Sequence, residues 1–596
     1  MTPQDDEILG KAYDARLMRR LLAFLRPYWR QVLLAFVAII AGAAGQLAQP
    51  YLIKVAIDQH IATGRLEGLD TLALLFLAIV IGGFAFEYLQ TWTLQMTGQR
   101  IMFDLRMAIY THLQRLDVRY YDRNPVGRLM TRVTSDVDAI NDLFTSGVVT
   151  VFGDIFSLVG IMAIMVGMNW RLALAAFSVL PLIVLVSQWF RRNVRESYRV
   201  VRGYIAQINA FLQENITGMS TVQLFRREAV NFSRFDDIDR KHRDANYQSI
   251  FYYSVFYPAI EMVAAIASAL IIWYGGGDVL RNALTLGALV AFLQYSARFF
   301  RPISDMSEKF NVLQAAMASS ERIFRLIDEP VAIQQPSHPR VRQGENHIVF
   351  DHVWFAYNGE DFVLRDVSFE VRPGQRIGIV GATGSGKTTL INLLLRFYDV
   401  TKGRITVDGV DIRELDLNDL RGLFSLVLQD VHLFSGTIAD NIRLGHQEID
   451  DERLRRAATA VHASAFIEKL PEAYQTAVAE RGATLSVGQK QLLSFARALA
   501  FDPRVLILDE ATSSVDTETE LLIRDALQVL MAGRTTIAVA HRLSTIQDMD
   551  RILVFHKGQL REAGTHQELL AERGIYFKLF ELQYKSVNED APATRA

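Results

Sequence analysis

Gly381-Ala-Thr-Gly-Ser-Gly-Lys-Thr-Thr389 joins an apolar run, Arg376-Ile-Gly-Ile-Val380, to a second run of helical spacing, Leu390 to Phe397. This is the G-x-x-x-x-G-K-[ST] pattern in the strand–loop–helix setting that phosphate binding needs. Gly381, Gly384 and Gly386 let backbone N–H groups curl around phosphate oxygens beside Thr383 and Ser385, and the helix start adds positive potential. Lys387 is expected to reach the β- and γ-phosphates, and Thr388, next to Thr389, to hold Mg²⁺. Val505-Leu-Ile-Leu-Asp-Glu510 reads as a buried strand ending in two carboxylates. Asp509 suits the Mg²⁺ shell, while Glu510 points elsewhere and suits polarising an attacking water. Leu485-Ser-Val-Gly-Gln489 opens a helix that runs from Lys490 to Ala500. Ser486 fits its N-cap, and the free N–H groups there make a second anion site together with Val487, Gly488 and Gln489.

These motifs occupy only the second half of the 596 residues. The alternation of short β-rich runs with amphipathic helices from Ile348 onward predicts an α/β domain over 346–585. A Pro-rich polar linker, 329–345, precedes it, and a polar tail, 586–596, is expected to be disordered. The first half, 1–328, is built differently. Six apolar stretches, near 31–57, 70–95, 144–168, 172–191, 249–274 and 285–301, are each long enough to cross a bilayer, which takes about 20 helical residues. Five of the six tryptophans (Trp29, Trp92, Trp170, Trp189 and Trp273) sit near their ends, as interfacial anchors do. The N-terminal 30 residues and the two long loops, 96–143 and 191–248, carry twenty-four Lys and Arg, against three (Arg65, Arg171 and Arg281) in the other connections. That bias places both termini and both long loops in the cytoplasm. Asp104 to Leu116 and Asn209 to Phe225 read as helical, so each loop is expected to project from the membrane, turn near 117–127 or 214–222, and return.

The averages describe neither half. Mean hydropathy is +0.15 and net charge is −2, so no global basic excess points to nucleic acid. The absence of cysteine excludes disulfide scaffolds, zinc-thiolate and iron–sulfur sites and a cysteine nucleophile. The acidic start, Met1-Thr-Pro-Gln-Asp-Asp-Glu7, fits neither a signal nor a transit peptide. Glu87, Asp154, Glu261 and Arg298 lie at depths where ionisable groups are costly. They either face a cavity and favour cationic cargo, or pair within the protein.

With the phosphate loop, the Asp-Glu strand and the Leu-Ser-x-Gly-Gln helix in this order, the chain resembles an ABC-type ATPase. Together with six N-terminal spans it resembles a half-size ABC exporter of the multidrug and lipid-flippase kind. The resemblance covers about 15–585 and implies ATP and Mg²⁺ as cofactors and a second half-transporter as partner. Two nucleotide domains would then sandwich two ATP molecules, with hydrophobic or amphipathic cargo moved across a bacterial cytoplasmic membrane. It implies that Tyr357 stacks on adenine and that Gln429 touches Mg²⁺. Asp516 would cross the dimer seam, and His541 would contact the γ-phosphate. Glu480-Arg-Gly482 would relay to the loops, whose turns match coupling helices. One position departs from the family pattern. The signature's usual third residue is glycine, and here it is Val487. A branched side chain where backbone approaches phosphate resembles heterodimeric exporters, in which one site hydrolyses and the other mostly holds ATP. A homodimeric flippase and a channel or receptor regulator of the same architecture remain open on the residues alone.

Overall fold

The computed structural model describes residues 14–509, 517–539 and 546–589. The chain divides into two compact units, one of 1–114 and 126–329 and one of 115–125 and 330–596.

The first unit is helical. Its principal helices are α1 (Trp29–Val55), α2 (Leu69–Leu113), α3 (Val148–Met168), α4 (Leu180–Thr217), α5 (Glu228–Leu270) and α6 (Leu286–Ile327). Among the described residues five helical runs, 15–61, 69–113, 126–168, 170–217 and 228–280, are long and apolar enough to cross a membrane, and the sixth expected stretch lies on α6. The 45 residues of α2 and the 43 of α5 make rods of about 65 Å at 1.5 Å per residue, twice a hydrocarbon core of about 30 Å. Local chemistry sets the ends. Asn169 caps the helix that begins at Trp170 by accepting from Arg171 N and Leu172 N, both at 3.1 Å. Pro181 sits in the first turn of α4, where its missing N–H is not needed. Gly218 separates α4 from the short helix Met219–Leu224, at the second expected turn. The long antiparallel pair α4 and α5 is locked by Phe190 stacked on Phe256 at 4.0 Å and by a buried contact, Ser197 Oγ to Ser249 Oγ, at 2.6 Å.

Among the described residues the second unit holds two large sheets and a two-stranded one that pairs Gly436–Thr437 with Ala477–Val478. Strands β1 (Ile348–Ala356), β2 (Phe362–Val371), β4 (Lys402–Val407) and β5 (Val410–Asp411) form an antiparallel sheet in the order β2-β1-β4-β5. The other large sheet contains β3 (Arg376–Gly381), β6 (Phe424–Val427), β7 (Val505–Asp509), β8 (Thr535–Val539), β9 (Arg551–His556) and β10 (Gln559–Gly564). Its order is β10-β9-β3-β8-β7-β6, parallel throughout except for the β9–β10 hairpin. Side chains alternate between its two faces. Val505, Ile507, Ile537 and Val539 enter a core shared with β1 and β2, and Leu506, Leu508 and Ala538 enter the core of the helical lobe. With both faces buried, these strands are continuously apolar, as parallel strands are.

Two expected boundaries change. The membrane half is not one continuous stretch from 1 to 328, because 115–125 packs with the nucleotide unit. The C-terminal helix runs from Ile575 to Glu589, four residues into the expected tail, since nothing from Lys585 to Glu589 breaks a helix. Residues 590–596 lie outside the described residues.

Candidate nucleotide site

Because β3, β8, β7 and β6 are parallel and in register (Ile379 beside Val539, Val539 beside Asp509, Leu508 beside Val427), their carboxyl ends share one edge. Ligands of open parallel sheets bind outside that edge, where the strand order reverses. Here it reverses at β3, whose neighbours are β8 and β9.

The loop leaving β3 is shaped by its glycines. Gly384 and Gly386 have φ of +79° and +98°, which a side chain would strain. A Cβ on Gly381 would stand 2.3 Å from Phe555 O and 2.6 Å from Ser385 Oγ. The positive φ at Gly386 turns the chain into helix α7, Lys387–Leu394, so α7 starts three residues before the expected Leu390. It ends early as well, because Arg396 takes a φ of +51°. Lys387 is 6% exposed and folds back over the loop, with Nζ 2.8 Å from Gly381 O and 3.2 Å from Ala382 O. Ser385 Oγ is buried without a hydrogen-bond partner. A cradle with no room for a Cβ, an orphaned hydroxyl and an ammonium held at the loop mouth fit a polyphosphate. Thr383, Gly384 and Thr388 are exposed at the same mouth, and Thr389 is buried.

Three oxygen donors come to this edge on separate elements. Thr388 is in the first turn of α7, Asp509 ends β7, and Gln429 lies two residues beyond the end of β6. Among the described residues no group of three or more His, Asp or Glu could hold a metal by itself. Mg²⁺ takes one or two protein oxygens and completes its shell with phosphate and water, a need that donors on three separate elements can meet. Tyr357 is partly buried, edge-on to Phe355 at 4.8 Å and to Tyr398 at 5.1 Å, and its hydroxyl lies 3.2 Å from Thr389 Oγ1. Helix α8, Val487–Ala500, begins at the N-cap Ser486. Ser486 Oγ accepts from Gln489 N at 3.2 Å, and Ser486 N donates to Gln489 Oε1 at 2.9 Å, a reciprocal capping box. The cap moves the helix start three residues ahead of the expected Lys490. Val487 is 51% exposed and Gly488 is buried. Glu510, Asp516 and His541 lie outside the described residues. In Glu480-Arg-Gly482 the backbone takes positive φ at Arg481 and Gly482.

Residues 32–303 match the family described as ABC transporter transmembrane region, and 364–513 match that described as ABC transporter. An uncharacterized ABC transporter ATP-binding protein of Bacillus subtilis, YknV, is 39% identical over 98% of this chain and 97% of its own length. The chain belongs to the ABC transporter family. An ATP-dependent lipid A-core flippase of Thiobacillus denitrificans is 35% identical over 95% of this chain and 98% of its own length. A solved bacterial Atm1-family ABC exporter with ATP bound aligns over 94% of this chain and 99% of its own, with a TM-score of 0.77 and 29% identity. This ABC transporter is an exporter half, a multi-pass membrane protein whose ATPase domain binds and hydrolyses ATP to drive transport.

Two features of this ABC transporter were not legible in the sequence. In the nucleotide unit, the turn 115–125 forms the short helix Val118–Arg123 and seats on the ATPase fold. The Tyr398 hydroxyl donates to the Asp122 carboxylate, Arg123 Nη2 donates to Asn358 Oδ1 at 2.8 Å, and Ala332 N donates to Asp117 Oδ2 at 3.1 Å. Burial, then the Asp122 carboxylate, push the Tyr398 phenol well above its ordinary range. A cavity of about 180 Å³ lies between this turn, Tyr357 and Tyr398. In the membrane unit, Asp154 is paired with Lys309 of α6, a partner that the span-by-span reading did not contain. Glu87 and Glu261 are exposed.

Proposed function

We propose that this chain is one half of a heterodimeric exporter that moves hydrophobic or amphipathic small molecules across the cytoplasmic membrane of a bacterium. Val487 carries the asymmetry. It opens the signature helix with its branched side chain exposed, so its own domain needs nothing from it, while a phosphate approaching from a partner would meet it. The relative named as a lipid A-core flippase supports amphipathic cargo, and the basic bias of the long loops supports cytoplasmic termini.

In this reading the 381–386 backbone and Lys387 hold the ATP phosphates, and Tyr357 faces adenine. Bound Mg²⁺ offsets the charge that builds on the β- and γ-phosphates, and Thr388, Gln429 and Asp509 are the residues that hold it. Glu510 accepts the proton of the attacking water, and His541 contacts the γ-phosphate. Ser486, Gly488 and Gln489 offer the second anion site to the partner's ATP, and Asp516 lies at the seam. ATP closes the dimer because the closed form makes phosphate contacts that the open form lacks; only such differential binding moves the equilibrium. Turns 117–127 and 214–222 carry that closure to the spans, and hydrolysis at the Glu510 site resets it. Purification by a tag on this chain from its own host's membrane, followed by native mass spectrometry, is expected to give one copy of this chain with one different ABC half. A homodimer with two equally active sites overturns the heterodimer.

A further inference from the structure

Helix α1 contains Pro50. Proline has no N–H, so the carbonyl four residues earlier, that of Gln46, loses its helical donor. Helix α6 supplies the replacement. Arg298 Nη1 donates to Gln46 O, and Nη2 donates to Gln49 Oε1 at 2.8 Å. One turn nearer the start of α6, the fully buried Tyr295 donates its hydroxyl to Leu47 O at 2.6 Å. The two helices are also tied at the start of α6, where Asp58 accepts from Thr285 Oγ1 at 2.6 Å and from Gly287 N at 2.8 Å. Arg298 stands about 18 Å along α6 from Leu286 at 1.5 Å per residue, inside a core about 30 Å thick.

Patching a proline break takes a donor, not a charge, and a neutral amide or hydroxyl would serve Gln46 O as well. Both acceptors of Arg298 are neutral, and among the described residues no carboxylate pairs with it. Lys309, further along the same helix, is neutralised by Asp154. A guanidinium carries five N–H groups. Among the described residues Arg298 therefore has no carboxylate to balance it and has N–H donors left over, at a depth where a charge is expensive and marks a functional position.

We propose that Arg298 recognises the headgroup of the cargo, and that the cargo is an anionic amphiphile with a carboxylate or phosphate monoester on an apolar chain. The proposal rests on the export reading above and names the class of molecule exported.

The test uses the purified complex in phosphatidylcholine nanodiscs, with ATPase stimulation as readout and dodecanoate, dodecyl phosphate and dodecanol as probes. The wild type is expected to respond to at least one anionic probe at about a tenfold lower concentration than to dodecanol, the worth of one charge-assisted hydrogen bond. Arg298→Gln is expected to bring the probes within about twofold of one another. Because that change also alters the patch on Gln46, the double variant Pro50→Ala with Arg298→Gln restores a helical donor at position 50. Loss of anion preference in both variants supports the proposal. A preference that returns in the double variant, one that survives Arg298→Gln, or a wild type that does not favour either anion overturns it. If no probe stimulates turnover in any variant, the export reading fails and takes this proposal with it.

Discussion

Replacing Tyr398 with Phe removes one oxygen and leaves the ring among Phe355 at 5.6 Å and Tyr357 at 5.1 Å. The core around β1 and β2 is therefore undisturbed, and among the described residues the bond lost is the one from the Tyr398 hydroxyl to the Asp122 carboxylate. A hydrogen bond to a charged group contributes roughly 1.5–3 kcal/mol. Asp122 is exposed and water can replace the phenol, so the low end applies, about 1.5 kcal/mol or about tenfold in the seating of the turn. Other hydrogen bonds remain to hold it, among them Arg123 to Asn358 and to Tyr357 O, and Ala332 N to Asp117. The turn should loosen without detaching. Hydrogen–deuterium exchange is the direct assay, since exchange of 115–125 tracks local opening. Tyr398→Phe should speed exchange there about tenfold and leave the phosphate-loop peptide unchanged. ATP affinity should stay within about twofold of wild type, while cargo-stimulated turnover and cargo moved per ATP both fall. Unchanged exchange at 115–125 would refute the seating role. A primary loss of ATP affinity would mean that Tyr398 acts through the Tyr357 ring instead.

Gly381→Ala would place a Cβ 2.3 Å from the Phe555 carbonyl, and backbone displacement of this kind costs about 1–3 kcal/mol. It should lower the melting temperature and weaken ATP binding at least about tenfold, read by thermal shift with and without ATP. Ser486→Ala removes the N-cap of α8 at a cost of about 1 kcal/mol, which circular dichroism melts should register, with ATP binding at this chain's own phosphate loop unchanged. Val487→Gly costs a few tenths of a kcal/mol in helix propensity but should raise turnover of the two-chain complex; unchanged or lower turnover argues that valine does not limit the second site. Lys309→Met leaves the half-buried Asp154 unpaired, at roughly 3–5 kcal/mol, and Asp154→Asn added to it should restore most of the lost stability in detergent melts.

The phosphate loop was legible because its chemistry is local, with glycines, lysine and threonine at fixed offsets between a strand and a helix. The spans were legible because about 20 apolar residues in succession have few other uses. Helix starts were less so. Gly386 and the Ser486–Gln489 box each move one forward by three residues, since φ and cap geometry outweigh apolar spacing. Pairings between distant segments left no mark at all. Nothing near Asp122 names Tyr398, nothing near Asp154 names Lys309, and Pro50 does not say which helix will meet the carbonyl it frees. Val487 is the opposite case. It was visible as a departure in the sequence, and the fold adds that its side chain faces outward.

The central claim is that turnover at this chain's phosphate loop drives cargo outward. In proteoliposomes holding the purified complex with its nucleotide domains outside, ATP should drive accumulation of a fluorescent amphiphile. Glu510→Gln should still bind ATP but abolish most of both hydrolysis and accumulation. Near-normal hydrolysis or accumulation in Glu510→Gln would contradict the account.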